Sequence, residues 1–221
     1  MAEDIGSNEQ PPQDNAPGIS FEQAVTSTER AWQERLQRSH FTGDIERAAH
    51  IMRRVADGAQ WLYDKKKEQG KISPDTRLPR IDVDPTTIPK FGGGYFRDHH
   101  TIILGTNTLE LLASVPPDTL IEILRKDGEV GYRGTPDEFG FLFGVEELDH
   151  ALTTGENSAL QPLLPNQVPL HEYNAQEHEY SSLFWRIRAA QEHKFHRETI
   201  DFLKGLQFDA YIYRSKKIGN K

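Results

Sequence analysis

The stretch FLFGVEELDHAL, Phe141 to Leu152, decides how the fold is interpreted, because it sets acidic residues and a histidine in an otherwise apolar run. At 3.6 residues per turn, its apolar side chains fall on nearly all sides of a helix. A helix that is apolar all round is normally buried. The sequence therefore predicts a buried helix that carries Glu146, Glu147 and His150 toward the interior.

These three polar residues need partners inside the protein. An isolated ionised carboxylate in the interior costs several kcal/mol unless it is paired or bound to a metal. Residues four apart lie one above the other on a helix, so Glu146 and His150 can reach the same ion, while Glu147 faces the adjoining cleft. The alternative is an ion pair between Glu147 and His150 at a partly exposed helix end.

The start of this helix is marked by strong local signals. Thr135 is an N-cap residue, Pro136 takes the first helical position, and Glu138 completes a capping box. The sequence therefore predicts that the helix begins at Pro136.

Composition narrows the classes of function. The 26 basic and 34 acidic residues give a formal charge of −8, which argues against a nucleic-acid partner. There is no cysteine, so any metal must be held by nitrogen and oxygen ligands. The N-terminus lacks the pattern of a Sec signal peptide, and no apolar run reaches the ~18 residues that span a bilayer. We therefore expect a cytoplasmic protein with no membrane contact, although export by a dedicated secretion system also fits.

The chain divides into four segments by composition. Residues 1–19 are acidic and rich in Pro, Asn and Gln, and we expect them to be disordered. Residues 20–70 show helical periodicity and predict an N-terminal helical hairpin. Residues 71–90 are rich in Pro, Asp, Thr and Lys and predict an irregular connection. Residues 91–221 form the site-bearing domain.

Within the site-bearing domain both helices and strands are expected. FGGGYFRDHHTIILGT predicts one or two short strands, and Pro117 to Lys126 predicts a helix. Residues 171–205 predict a long helix broken near His193, and QFDAYIYRS, residues 207–215, predicts a last strand. The sequence thus predicts an α+β protein that is predominantly helical.

The hexapeptide VEELDH resembles the HExxH helix of metallopeptidases, with Glu146 in place of the first histidine. The region from Gly92 to about Ala190 resembles a small zincin-type metallopeptidase domain. This resemblance implies that the TIIL strand lies along the cleft, followed by the motif helix. It also implies a second helix with a glutamate ligand in an ExxS context, as in EYSS.

The resemblance assigns roles to four residues. It implies Glu146, His150 and Glu179 as metal ligands and Glu147 as the general base of peptide hydrolysis. Zinc is the metal that the resemblance implies. One histidine and two glutamates make a harder, more anionic site, which suits manganese or another oxygen-preferring ion as the alternative. Glu177 is the alternative third ligand. Glu177 and Glu179 also fit solvated flank positions on the predicted second helix, where they would pair with Arg186 or Arg188.

The sequence also fits other functions. A zincin-like core with an atypical first ligand also fits a catalytically inactive protein-binding module or a secreted effector. VGYRGT and Glu177-His178-Glu179 together resemble ADP-ribosyltransferases, in which an arginine holds NAD and the last glutamate of an E-x-E pair orients the ribose. That resemblance implies Arg133 and Glu179 as functional residues and a strand around Glu177.

Overall fold

The chain folds as a mainly helical α+β protein, as predicted. The coordinates are a computed structural model, which describes residues 21–39, 41–73, 75–84, 92–96, 100–124, 128–157 and 170–219. Side chains are described for residues 29–39, 41–73, 75–83, 92–96, 100–124, 128–152 and 181–208. The tail predicted at residues 1–19 lies outside these ranges.

The described elements are six helices and five strands. The helices are α1 (Phe21–Arg38), α2 (Ile45–Glu68), α3 (Thr106–Ala113), α4 (Pro136–Asn157), α5 (Leu170–Glu192) and α6 (Arg197–Gly219). The strands are β1 (Arg80–Asp84), β2 (Gly93–Phe96), β3 (Thr101–Gly105), β4 (Ile121–Leu124) and β5 (Val130–Gly134).

Helix α4 lies at the centre of the fold and packs most extensively on α2. Each helix carries a glycine that lies directly against the backbone of the other helix. A Cβ atom added at Gly58 of α2 would lie 1.9 Å from the carbonyl oxygen of Phe141, and one added at Gly144 of α4 would lie 2.0 Å from that of Val55. Only residues without a side chain permit this approach. The contact fixes where the polar end of α4 lies relative to α2.

Helix α2 buries its apolar face in the same cluster as α4. Asp44 caps α2, because its Oδ1 accepts a hydrogen bond from the Arg47 backbone N–H at 3.0 Å. Met52, Val55 and Leu62 of α2 are fully buried, and α1 adds Trp32 and Leu36 to the cluster. The helices predicted for residues 20–70 therefore share one core with the site-bearing helices.

A three-stranded sheet lies beside α4 in the order β1-β3-β2. The central strand β3 is fully buried, runs parallel to β1 and runs antiparallel to β2. The sheet confirms the strands predicted around TIIL. Strands β4 and β5 form a separate antiparallel pair with an irregularity between Ile123 and Leu124.

Three local predictions are wrong. The segment predicted as an irregular connection contains β1, which pairs in register with β3. The helix predicted from Pro117 to Lys126 is instead strand β4 over Ile121–Leu124, stabilised by its pairing with β5. The strand predicted at residues 207–215 is part of α6. The break predicted near His193 is confirmed, because α5 ends at Glu192 and Lys194 has a left-handed backbone, φ 54°.

Candidate functional site

The start of α4 has the capping box that the sequence predicts. The Thr135 backbone N–H donates to Glu138 at 3.0 Å, and the Glu138 N–H donates to the Thr135 hydroxyl oxygen at 3.3 Å. Glu138 also accepts from the His196 N–H at 2.6 Å and from the Thr199 hydroxyl at 2.8 Å. Burial raises the pKa of Glu138, but hydrogen bonds from Thr135 and His196 outweigh it and hold the pKa below its usual value.

Glu146 forms an ion pair with α5. Its Oε2 lies 3.1 Å from Nη1 of Arg186, whose residue is only 5% exposed. Arg188 of α5 pairs with Glu192 at 2.9 Å. The predicted pairing of Glu177 or Glu179 with an arginine of the same helix stays a prediction, because the side chains of both glutamates lie outside the described set. The Glu146–Arg186 pair ties α4 to α5 and occupies a carboxylate oxygen that the metal hypothesis assigns to an ion.

Glu147 is buried, with 8% exposure, and is bound to the neighbouring sheet. Its Oε2 accepts a hydrogen bond from the Tyr95 backbone N–H of β2 at 2.7 Å, and Nδ1 of His150 lies 3.5 Å from the same oxygen. Burial lowers the pKa of His150, but the hydrogen bond and charge of Glu147 outweigh it and raise the pKa to about 9. His150 is therefore protonated at neutral pH, as in the ion-pair alternative.

Asp149 is the third acidic residue of this turn and the most buried. It is fully buried and forms an ion pair with Lys66 at the end of α2, whose residue is also buried. At 100° per residue, Asp149 lies about 160° from Glu147 and about 60° from Glu146 around the helix axis. The three carboxylates contact three different neighbours of α4, namely α5, β2 and α2.

The described residues do not fit a metal site in which Glu146 is a ligand. No group of three His, Asp or Glu side chains in the described part of the chain could hold a metal ion. A guanidinium beside Glu146 repels a cation, and His150 must lose a proton before it can bind one. Glu177 and Glu179 are in α5, but their side chains lie outside the described set. Their role as a third ligand stays a prediction.

An apolar pocket of about 340 Å³ opens beside the Arg186–Glu146 pair, between α3, α4, α5 and the β4–β5 pair. This volume is near the lower end of the range of ~300–1,000 Å³ found for ligand sites. Its described lining is Gly92, Thr108, Leu111, Ile123, Leu124, Gly131, Tyr132, Phe139, Leu142, Phe143, Glu146 and Arg186. No sequence pattern indicated this pocket, because its lining residues come from six separate segments of the chain.

The mouth of the pocket is apolar and exposed. Leu124 of β4 is 61% exposed and Leu111 of α3 is 42% exposed, and both line the pocket. Exposed apolar groups beside a concave site are typical of binding surfaces. The pocket is therefore the candidate functional site of the described structure.

The residues implied by the ADP-ribosyltransferase resemblance are arranged differently. Arg133 of β5 pairs with Glu122 of β4 at 2.5 Å, across the two-stranded sheet. The chain at Glu177 and Glu179 is helical, whereas that resemblance implies a strand. The local backbone at the E-x-E pair thus departs from the implied arrangement.

Comparisons of the chain with models of protein families, with curated proteins and with solved structures gave no match. None of the described helices has the length and apolar character needed to cross a bilayer.

Proposed function

We propose that this chain is a protein-binding module whose pocket takes an apolar side chain of a partner. The observation that carries the proposal is the apolar pocket of about 340 Å³ with Leu111 and Leu124 exposed at its mouth. Burying one large apolar side chain contributes roughly 1.5–3 kcal/mol. One anchor of this kind, with contacts at the rim, suits a transient partner.

The charges near the pocket support binding more than hydrolysis. Glu146, Glu147 and Asp149 each lie beside a hydrogen-bond donor or a cation of the protein itself. These partners account for the three carboxylates without a metal or a substrate. The remaining polar side chains of the pocket are also engaged: Tyr132 donates to the Thr135 carbonyl, and Thr108 accepts from a backbone N–H. The pocket therefore presents mainly apolar surface.

The test is a titration with blocked peptides of the form acetyl-Gly-X-Gly-amide, followed by two-dimensional amide NMR. We expect peptides with X as Leu, Met or Phe to shift the amide signals of Gly92 and Gly131, which line the pocket, and the Ser peptide to leave them unchanged. Leu124→Asp should weaken binding at least tenfold by placing a charge at the mouth. Leu120→Asp is the matched control, because Leu120 is 42% exposed and lies outside the lining.

The proposal fails if the apolar peptides leave Gly92 and Gly131 unshifted. It also fails if Leu120→Asp weakens binding as much as Leu124→Asp, since the effect then comes from surface charge and not from the pocket.

A metal-dependent peptidase remains a second proposal, favoured by the contact of Glu147 with His150 beside strand β2. Elemental analysis of protein purified without chelator, and again after addition of zinc or manganese, tests it. Near-stoichiometric metal that is lost in His150→Ala and kept in Glu147→Gln would support it. Protein without metal under all these conditions would remove it.

A further inference from the structure

We propose that the acidic N-terminal segment, residues 1–19, docks on a basic surface at the end of α2 and covers it against other anionic partners. The basic surface consists of the described side chains of residues 65–80, which lie in the last turn of α2, the loop after it and the first residue of β1. None of these residues lines the apolar pocket. The inference therefore goes beyond the proposed function and does not depend on it.

The first observation is the charge of this surface. Residues 65–80 include six basic and two acidic side chains, a net charge of +4 in a chain whose formal charge is −8. Three of the cations are exposed and have no carboxylate partner among the described side chains, namely Lys67, Lys71 and Arg77. The other three cations already form ion pairs, namely Lys65, Lys66 and Arg80. The surface therefore has positive charge left for an anionic segment.

The second observation is that the fold brings two of the unpaired cations to the same place. The Tyr63 hydroxyl donates to the Thr76 carbonyl oxygen at 2.9 Å and holds the loop against α2. Nζ of Lys67 lies 5.7 Å from the centre of the Tyr63 ring, and Arg77 follows Thr76 directly in the chain. Lys67 and Arg77 therefore lie next to the same tyrosine, and both are exposed to solvent.

The third observation is the charge of the occupant. Residues 1–19 contain four acidic side chains and no lysine or arginine, and the acidic ones are Glu3, Asp4, Glu9 and Asp14. Among the stretches of sequence outside the described residues, the N-terminal one alone has a net negative charge. One exposed ion pair contributes little, whereas several charges acting together attract over a Debye length of about 10 Å at 0.1 M salt. Charge complementarity thus selects this segment as the occupant.

The fourth observation is where the chain leaves α1. The short loop at residues 39–44 joins α1 to α2, so the two packed helices run in opposite directions. Their alignment is set by Nη1 of Arg53 in α2, which lies 3.7 Å from Oε2 of Glu29 in α1. From Glu29 back to Phe21 the helix rises about 12 Å, which brings Phe21 level with Trp61, near the end of α2. Residues 1–19 therefore begin beside the basic surface, and an extended chain of that length spans about 60 Å.

The covalent connection gives this segment an advantage over a free anionic partner. Binding within one chain has an effective concentration in the millimolar range when the connection is short. A contact made by exposed charges is weak, but at this concentration it is populated in the free protein. A more acidic partner can still displace it. The segment is thus a built-in competitor for anionic partners of the basic surface.

Paramagnetic relaxation enhancement in the full chain tests the contact. The chain has no cysteine, so Ser7→Cys provides a single site for a nitroxide label. The amide signals of Gly70, Lys71 and Thr76 report on the basic surface, and that of Gly205 in α6 is the reference. We expect the label to broaden the first three signals about threefold more at low salt, about 20 mM, than at about 0.5 M, where the charges are screened. The Gly205 signal should not change.

Variants on both sides of the contact provide the controls. The segment loses its charge in the fourfold variant Glu3→Gln, Asp4→Asn, Glu9→Gln and Asp14→Asn. This variant should reduce the broadening at low salt about threefold, because the attraction is gone. Lys67→Gln combined with Arg77→Gln should reduce it likewise from the other side. Arg197→Gln combined with Lys204→Gln removes two exposed charges from α6 instead and should change nothing.

An octaglutamate peptide tests whether the segment covers the basic surface. The peptide should bind the fourfold variant about fivefold more tightly than the wild-type chain, because the neutral segment no longer competes for the same cations. Fluorescence anisotropy of a labelled peptide measures both affinities at low salt. Equal affinities would overturn the covering role.

The remaining outcomes also decide the matter. Broadening that is absent at low salt, or that survives the fourfold variant, overturns the inference, because the segment then makes no charge-dependent contact. An equal loss of broadening in the α6 control would overturn the location. Broadening that appears when spin-labelled chains are mixed with isotope-labelled chains without the cysteine would place the segment on a second copy, and this too overturns the inference. The tripeptide titration of the pocket is independent of all these results.

Discussion

Replacing Gly144 by alanine should destabilise the protein through the contact of α4 with α2. The added Cβ would lie 2.0 Å from the Val55 carbonyl oxygen and 3.0 Å from the Ala59 nitrogen, both of which are backbone atoms that cannot rotate away. To reach a separation of 3.0 Å from that oxygen, the helices must move apart by about 1 Å. A gap of 0.5–1 Å forfeits roughly a quarter to a half of the dispersion energy of the atoms that part.

The size of the effect follows from two opposing contributions. Overpacking of a tight contact costs about 1–3 kcal/mol and occasionally more, and backbone against backbone belongs at the upper end. Alanine is the better helix former by about 1 kcal/mol. We therefore expect Gly144→Ala to lower the free energy of unfolding by about 2 kcal/mol. In a chain of this length, the melting temperature should fall by roughly 4–8 °C.

Gly205 of α6 provides the matched control, because nothing lies within 4 Å of a Cβ added there. Gly205→Ala should raise the free energy of unfolding by up to about 1 kcal/mol through helix propensity alone. The assay is urea unfolding followed by circular dichroism, with thermal melts alongside. A Gly144→Ala variant as stable as Gly205→Ala would refute the close contact between α2 and α4.

Three further predictions concern the charges around α4. Glu138→Gln should destabilise the protein by about 2 kcal/mol at pH 7. Because the pKa of Glu138 is depressed in the folded protein, this contribution is lost as the pH falls below about 4.5. In urea unfolding, the difference in unfolding free energy between the variant and the wild type should therefore shrink from pH 7 to pH 3. NMR titration should give His150 a pKa of about 9, and Glu147→Gln should lower that pKa. Because the pKa is raised in the folded protein, the pair contributes its full stabilisation below pH 6.5 and loses it as the pH rises through 9. An unchanged His150 pKa in the variant would disprove the pair. Lys66→Met should lower the free energy of unfolding, measured in urea, by about 3–5 kcal/mol, because it leaves the Asp149 carboxylate buried without this cation. Adding Asp149→Leu should recover most of the loss. A Lys66→Met variant as stable as the wild type would contradict the buried pair.

The features that the sequence predicted correctly depend on short-range signals. The capping box at Thr135 and Glu138 involves residues three apart, and the structure has both of its hydrogen bonds. The strand around TIIL and the helices predicted within residues 20–70 follow equally local patterns. Each of these signals acts within one turn of helix or one strand, so neighbouring residues alone specify it.

The features that the sequence missed depend on distant partners. IEIL at Ile121–Leu124 is too short to tell strand from helix, and its pairing with β5 decides the outcome. RIDVD became β1 because it pairs with β3, which lies about twenty residues away along the chain. In QFDAYIYRS the aromatic and β-branched residues, following Gly205, favoured a strand. No proline interrupts the segment, however, and α6 continues through Gly205 to Gly219.

The helical periodicity of α2 contains a signal for one buried ion pair. Val55, Ala59, Leu62 and Lys66 recur at three- and four-residue spacing, so Lys66 continues the buried stripe of α2. A lysine on such a stripe requires an acidic partner. The sequence could thus have indicated that a carboxylate of another element pairs with Lys66, but not that this carboxylate is Asp149.

The acidic residues in FLFGVEELDHAL therefore have a structural reason that does not require a metal. Each of Glu146, Glu147 and Asp149 meets a partner on a different neighbour of α4. A rotation of α4 by one residue, about 100°, would bring each carboxylate against the wrong neighbour, and breaking a single buried pair costs about 3–5 kcal/mol. An apolar helix slides and rotates at little cost, whereas contacts with three different neighbours specify one orientation. That orientation places Glu146 beside Arg186 in the wall of the pocket.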